Sequence, residues 1–383
     1  VSEQHGERGH AVRPLELYFD LVFVFGFTQV TTVLSDNPTW SGLGHGLLIL
    51  ATLWWAWAAY TWLTNMVDPD VGAMWGAMLA AMAAMFVAAL AVPDAFGPHG
   101  VLFGVAFLIV NVMHVTLNAL TARGNRDLLA ATVRYTPSAL SGATLILAAG
   151  FVGGGLKPIL WLAALIVGLF GPLLGGMSGW RIEPTHFVER HGLIVIIAIG
   201  ESLIAIGLGE RHSGLTTGVI VAAVLGFVVA TSFWLAYFDF FPIRGERMLA
   251  DRSGTERTAL ARDIYTYLHL PMVAGIVLFA FAMRTTLAHV RDELGTIPAL
   301  GLCGGPALYL FSYVAIRVRV SHSVGRGRLL AAIACALLVP VALVVPALVA
   351  LTLVTAVWVA LHAYELIWWR EARAQIRAQR EPA

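Results

Sequence analysis

Between His186 and Gly209 the chain reads HFVERHGLIVIIAIGESLIAIGLG. The run is long and apolar enough to cross a bilayer, with His186, Glu189, Arg190 and His191 at its entrance and Glu201 inside it. A helical span needs about 20 apolar residues. Twelve runs of that kind, this one included, lie at 15–34, 41–64, 72–92, 99–122, 128–150, 157–177, 187–209, 215–241, 263–287, 296–317, 327–345 and 348–369. In hydrocarbon a helix satisfies its own backbone groups, so the pattern predicts an all-α polytopic membrane protein of about twelve transmembrane helices. Leu329 to Trp369 is one apolar stretch divided only by Pro340 and Pro346. As one helix it would be about twice as long as a bilayer is thick. A hairpin near Pro346 is therefore expected.

Composition agrees. The chain is 58% hydrophobic and only 12% charged, where soluble domains carry about 25% charged residues. That excludes a soluble enzyme. A net charge of +1 offers no basic field for nucleic acid. The expected partners are the lipid bilayer and a small ion or polar solute, and a homodimer is compatible with the chain. Cys303 and Cys335 both lie in apolar stretches and form neither a disulfide framework nor a metal quartet. No phosphate loop, nucleophile elbow or dinucleotide fingerprint stands in its required context. The expectation is a protein without cofactor and without enzymatic activity.

Basic residues set the orientation. With twelve spans and a cytoplasmic N-terminus, the inner side receives Arg123 and Arg126, Arg181 and Arg190, the run Arg244 to Arg262, Arg317 to Arg328, and the tail Arg370 to Arg380. The outer side receives little beyond Lys157, Arg211, Arg284 and Arg291. Asp20 to Gln29 overlays Gly192 to Glu201 in apolar phase, with Gln29 on Glu201. The expected organisation is a tail at 1–14, a six-helix repeat at 15–177, a second parallel repeat at 187–369 and a basic tail at 370–383.

Ionisable side chains within membrane helices mark functional sites by default. On the first span Glu16 and Asp20 share a face, and Arg13 is one turn from Glu16. Asn111, His114 and Asn118 form a polar stripe on the fourth span, serving either interhelical bonding or a hydrated path. Asp239 ends the eighth span, and His269 precedes Pro271, whose missing N–H frees carbonyls nearby. His186, Glu189 and His191 invite a metal reading, but Arg190 occupies the place a second histidine would need in a hydrolase motif. A mouth network of Glu189 with an arginine is the better expectation.

These residues carry a family resemblance. Glu16 to Val24, Trp54-Trp55-Ala-Trp57, His186 to Ser202, Tyr237-Phe-Asp239 and His269-Leu-Pro271 resemble the motifs of the bacterial low temperature requirement A family. The resemblance implies a multi-pass membrane protein and brings no reaction or substrate. Glu16, Asp20, Val22, Phe23 and Thr28 also resemble the first helix of the endolysosomal potassium and proton channels and their six-helix prokaryotic relatives. That likeness implies a pore-lining first helix in each of two repeats. Tyr18 and Phe19 replace the Phe-Ser of that signature, and Gly192 stands where a second Asp would be.

Three function classes follow: a channel or transporter using buried carboxylates, a membrane sensor or scaffold without a permeation path, and an intramembrane lipid-modifying enzyme. If the first span lines a path, Phe23 and Phe27 form an apolar gate beyond Asp20. Glu201 is expected to be protonated while dry and to titrate when water or a cation enters, with His114 or His269 as its nearest cationic candidates.

Overall fold

The computed structural model describes residues 12–67, 69, 72–209, 214–239 and 241–368. Arg211, residues 1–11 of the expected N-terminal tail and the expected basic tail at 370–383 lie outside the described residues. In chain order the helices are α1 (Pro14–Asp36), α2 (Trp40–Thr64), α3 (Ala73–Ala91), α4 (Gly100–Thr121), α5 (Arg126–Gly150), α6 (Leu156–Gly175), α7 (Pro184–Gly209) and α8 (Thr217–Phe238). Two short helices follow, α9 (Phe241–Ala250) and α10 (Gly254–Ala261), then α11 (His269–Ala288), α12 (Thr296–Ala299), α13 (Gly305–Ser321), α14 (Arg326–Ala342) and α15 (Ala347–Trp368). π-helical segments at Arg262–Leu268 and Leu300–Gly304 join α10 to α11 and α12 to α13. Among the described residues there is no β-strand.

Every apolar run of the sequence is helical, and the break at 343–346 falls beside Pro346 as expected. Among the described residues, ten helices are long and apolar enough to cross a membrane. The other two expected spans are shorter or more polar. α14 has 17 residues, and α5 carries Arg126, Asp127 and Arg134 with several hydroxyl side chains.

Local chemistry fixes the helix starts. Pro14 occupies the first turn of α1, where no N–H is required. Thr39 caps α2 through the Gly42 N–H at 3.2 Å, and Asn125 caps α5 through the Leu128 N–H at 3.1 Å. The faces then divide by solvent. On α6, Leu162, Ile166 and Phe170 recur every four residues and are exposed, while Trp161, Ala164 and Gly168 are buried. A helix apolar on both faces suits lipid on one side and protein on the other.

The chain divides into two compact units. The first comprises residues 1–201 and 237–270, and the second residues 202–236 and 271–383. In the first, α4 and α5 approach to backbone contact: a Cβ on Gly104 would lie 2.5 Å from the Leu147 Cα. In the second, Gly275 and Gly305 face each other, each with the other's carbonyl inside Cβ distance. Phe233, Tyr309 and Trp358 fill the second unit's core, with the Tyr309 hydroxyl donating to the Phe233 carbonyl at 2.7 Å. Arg328 pairs there with Glu365 at 2.8 Å.

Candidate functional site

The site is built on α1 and the first five turns of α7, within the first unit. On α1 the buried face runs Glu16, Asp20, Phe23, Phe27, Thr31, at helical spacing. Leu17, Tyr18 and Leu21 stand on the exposed side. On α7 the corresponding buried face runs His186, Arg190, Ile194, Ala198, Glu201. The two helices run parallel and in register.

At the start of both helices lies an ion cluster. His186 Nε2 is 2.9 Å from Glu16 Oε2. Arg190 Nη1 donates to Asp20 Oδ2 at 2.9 Å, and its Nε is 3.6 Å from Glu16 Oε1. Trp57 Nε1 of α2 donates to the second Asp20 oxygen at 2.8 Å. Glu16 also accepts from the Arg13 main-chain N–H at 3.0 Å. Both the Arg190 and Glu16 side chains are 0% exposed. Burial of this kind is tolerated because the charges are paired.

Asn65 fixes the state of His186. Its Oδ1 accepts from the Glu183 N–H at 2.6 Å and its Nδ2 donates to the Glu183 carbonyl at 3.1 Å. That orientation turns an N–H toward His186 Nδ1, 2.9 Å away. Nδ1 must then accept, so Nε2 carries the proton and the imidazole is neutral. The cluster thus holds two carboxyl groups against one permanent cation, Arg190.

Deeper on the same two helices lies a second station. Thr28 Oγ1 is 2.6 Å from Glu201 Oε2, and Thr31 Oγ1 is 2.6 Å from Glu201 Oε1. Each hydroxyl also reaches a carbonyl of its own helix: Thr28 to Val24 at 3.1 Å, Thr31 to Thr28 at 2.9 Å. A hydroxyl has one proton and two lone pairs. With Glu201 ionised, both threonines donate to it. With Glu201 protonated, the carboxyl donates to one threonine, which turns its own proton to the helix carbonyl. The same heavy-atom arrangement satisfies both states. Phe23 and Phe27 separate the stations, each 1% exposed. From Asp20 to Thr31 is about 16 Å along the helix.

Beside the ion cluster, His191 sits in an aromatic cage. Its Nδ1 donates to the Phe187 carbonyl at 2.8 Å, and its Nε2 is buried without a partner. Trp57 and Tyr265 meet its ring at 4.9 Å and His269 at 5.5 Å. His269 donates from Nδ1 to the Ile264 carbonyl at 2.9 Å and accepts from the Tyr237 hydroxyl at 3.1 Å. The π-helical segment before it leaves the Thr266 carbonyl to the Trp54 indole N–H, at 2.8 Å.

The structure brings Glu16, Asp20 and the α7 entrance together, and places Glu201 against α1. Glu189 is exposed and accepts from the Val12 N–H at 3.4 Å. The expected mouth network of Glu189 with an arginine does not form among the described residues. Successive helical residues point about 100° apart, so Arg190 turns inward to Asp20 while Glu189 turns out. His186, Glu189 and His191 therefore do not converge, and no group of three or more metal-ligating side chains occurs among the described residues. The Gln29 side chain is half-buried and makes no hydrogen bond to the described residues; Thr28 and Thr31 take the place beside Glu201. His114, with its Nε2 3.0 Å from the Ala59 carbonyl, joins α4 to α2. Asn111 and Asn118 bond carbonyls of their own helix, Phe107 at 2.9 Å and His114 at 3.0 Å. Asp239 lies half-buried in the turn after α8. Thr31, and Trp57 as a carboxylate partner, were not among the residues the sequence singled out; a 3.6-residue reading of α1 from Asp20 reaches Thr31.

Helices of spanning length around buried, paired charges define a multi-pass all-α membrane protein. The chain belongs to the bacterial low temperature requirement A protein (LtrA) family, whose pattern it matches over residues 11–363. An uncharacterized protein of Rhizobium meliloti (strain 1021) is 33% identical over 307 residues, which cover 77% of this chain and 74% of the relative. No solved structure matches the chain.

Proposed function

We propose that the protein moves a small cation, the proton first, across the bacterial cytoplasmic membrane along the seam between α1 and α7. The observation that carries this reading is Glu201 between Thr28 and Thr31. A buried carboxyl whose two protonation states suit one geometry takes up and releases a proton without rebuilding its surroundings. The ion cluster supplies a second station on the same faces, with one carboxyl group more than fixed cations. The phenylalanine pair between them is the apolar barrier that such a path gates. Under this proposal twelve helices cross the membrane as two parallel six-helix repeats with both termini cytoplasmic. The parallel pairing of α1 with α7, the first helix of each repeat, supports that arrangement.

The test is a flux assay on purified protein in liposomes, scanned over H⁺, K⁺, Na⁺ and anions. Proton or cation movement that needs the protein is expected. A bilayer that stays tight to all of them under an imposed gradient sinks the proposal. The second reading, a sensor or scaffold, is favoured by the paired ion cluster and by the His191 cage, where hydrogen bonds hold the rings of His191, Trp57 and His269. It predicts that tight bilayer. An intramembrane enzyme finds less support, because His186, Glu189 and His191 do not converge.

A further inference from the structure

A pocket of about 60 Å³ opens within the first unit, away from the α1–α7 seam. Trp55 and Trp62 of α2, Tyr135 of α5 and Trp180 form apolar walls. Among the polar groups of its lining, Arg134, His114 and the Trp55 indole N–H are incompletely used. Arg134 donates from Nε to the Gly175 carbonyl at 3.0 Å and from Nη2 to the Ser178 carbonyl. It has no carboxylate partner among the described residues, and its Nη1 bonds none of them. Arg262, the other guanidinium here, is matched by Asp263 at 2.7 Å, so the pocket carries one unbalanced positive charge.

His114 supplies the second group. Its Nε2 lies 3.0 Å from the Ala59 carbonyl and 2.9 Å from Asn118 Nδ2, so both neighbours of that nitrogen belong to α2 and α4. Its Nδ1 is buried without a partner, on a residue only 3% exposed. A buried ring nitrogen left open calls for a partner, and a hydroxyl serves it as donor or as acceptor. The pocket therefore asks for an anion at Arg134, a hydroxyl at His114 and apolar bulk against the rings. Val133, Leu173 and Leu174, each next in the chain to a lining residue, are exposed apolar residues. An amphiphile seated here has acyl chains in reach of its own solvent.

We infer that this pocket binds the phosphoglycerol head of an anionic phospholipid, its phosphate on Arg134 and a glycerol hydroxyl bonded to His114 Nδ1. The same head chemistry exists as free glycerol phosphate, which lacks the apolar anchor. The experiment is thermal unfolding of the full chain in neutral detergent with four short-chain probes: phosphatidylglycerol, phosphatidylmethanol, phosphatidylcholine and soluble glycerol phosphate. Phosphatidylglycerol is expected to raise the midpoint most. Phosphatidylmethanol, an anion with no hydroxyl, is expected to bind about tenfold more weakly, and phosphatidylcholine more weakly still. Arg134→Gln should abolish the preference for anions, and His114→Phe should erase only the preference for the hydroxyl. Equal shifts from phosphatidylglycerol and phosphatidylmethanol in the unaltered protein would overturn the assignment of His114. Equal shifts from phosphatidylglycerol and phosphatidylcholine, or an anion preference that survives Arg134→Gln, would overturn the site. A shift from glycerol phosphate as large as that from the lipid would overturn the lipid as its source.

Discussion

Thr31 and Glu201 are 170 residues apart in the chain and 2.6 Å apart in space. The same interval separates Glu16 from His186 and Asp20 from Arg190. A constant interval over four turns means that α1 and α7 run parallel and keep step. A slip of one residue on either helix would turn every partner by about 100°. The register is held by polar contacts at both ends, and between them Phe23 and Phe27 of α1 and Ile194 and Ala198 of α7 are buried.

Arg190 is the fixed cation of the cluster, and its removal tests whether the cluster holds the seam. Arg190→Met leaves Glu16 and Asp20 buried without their guanidinium. A broken buried pair costs about 3–5 kcal/mol. The midpoint of thermal unfolding in detergent should fall accordingly. Adding Glu16→Gln and Asp20→Asn to that variant should recover most of the loss. An unchanged midpoint in the single variant would mean that water already solvates these carboxylates.

Trp54 tests the π-helical segment. Its indole N–H meets the Thr266 carbonyl inside the first unit. Trp54→Phe keeps much of the ring and strands that carbonyl, for a loss of about 1–3 kcal/mol. Trp62→Phe removes only a bond to the Thr266 hydroxyl at 3.0 Å, which can rotate to another acceptor, so its cost should be smaller. Equal midpoints for the two variants would remove the distinction.

The helices were legible because apolar length and its punctuation by Pro, Gly and Arg are local properties. The break beside Pro346 was legible for the same reason. Pairing was not, because neighbours in sequence suggest pairs that helices forbid. Glu189 adjoins Arg190 but points elsewhere, whereas His186, one turn earlier, shares its face. Thr31 was hidden differently. A threonine in a membrane helix usually bonds its own backbone, and Thr31 reaches the Thr28 carbonyl as well as Glu201. Nothing in one helix's sequence announces that second partner. The tautomer of His186 rests on Asn65, which lies 121 residues away.

Phe27 lies between the two stations and is 1% exposed. If ions pass along the seam, Phe27→Ala opens the barrier and should raise flux several-fold in the liposome assay. The same truncation costs about 3–5 kcal/mol in a packed core. Phe27→Leu, with a smaller volume change, separates the effects: it should leave the fold intact and raise flux less. Unchanged flux in a folded Phe27→Ala protein would place the path elsewhere.

Glu201→Gln is the most direct test of the proposed proton site. The amide keeps the shape of the carboxyl. Its oxygen accepts from one threonine, and its N–H donates to the other, which then turns its own proton to the helix carbonyl. The arrangement that suits a protonated carboxyl suits glutamine equally, so the unfolding midpoint should move by little, on the order of 1 kcal/mol or less. What the amide lacks is a proton it can give up. Proton flux, and any pH dependence of cation flux, should therefore fall to the level of empty liposomes while the protein stays folded. Glu201→Ala is the contrasting variant. It removes the acceptor for both threonines and leaves a cavity, so it should lose stability as well as flux. A folded Glu201→Gln protein that carries protons at the unaltered rate across the pH range would reduce Glu201 to a structural tie between α1 and α7.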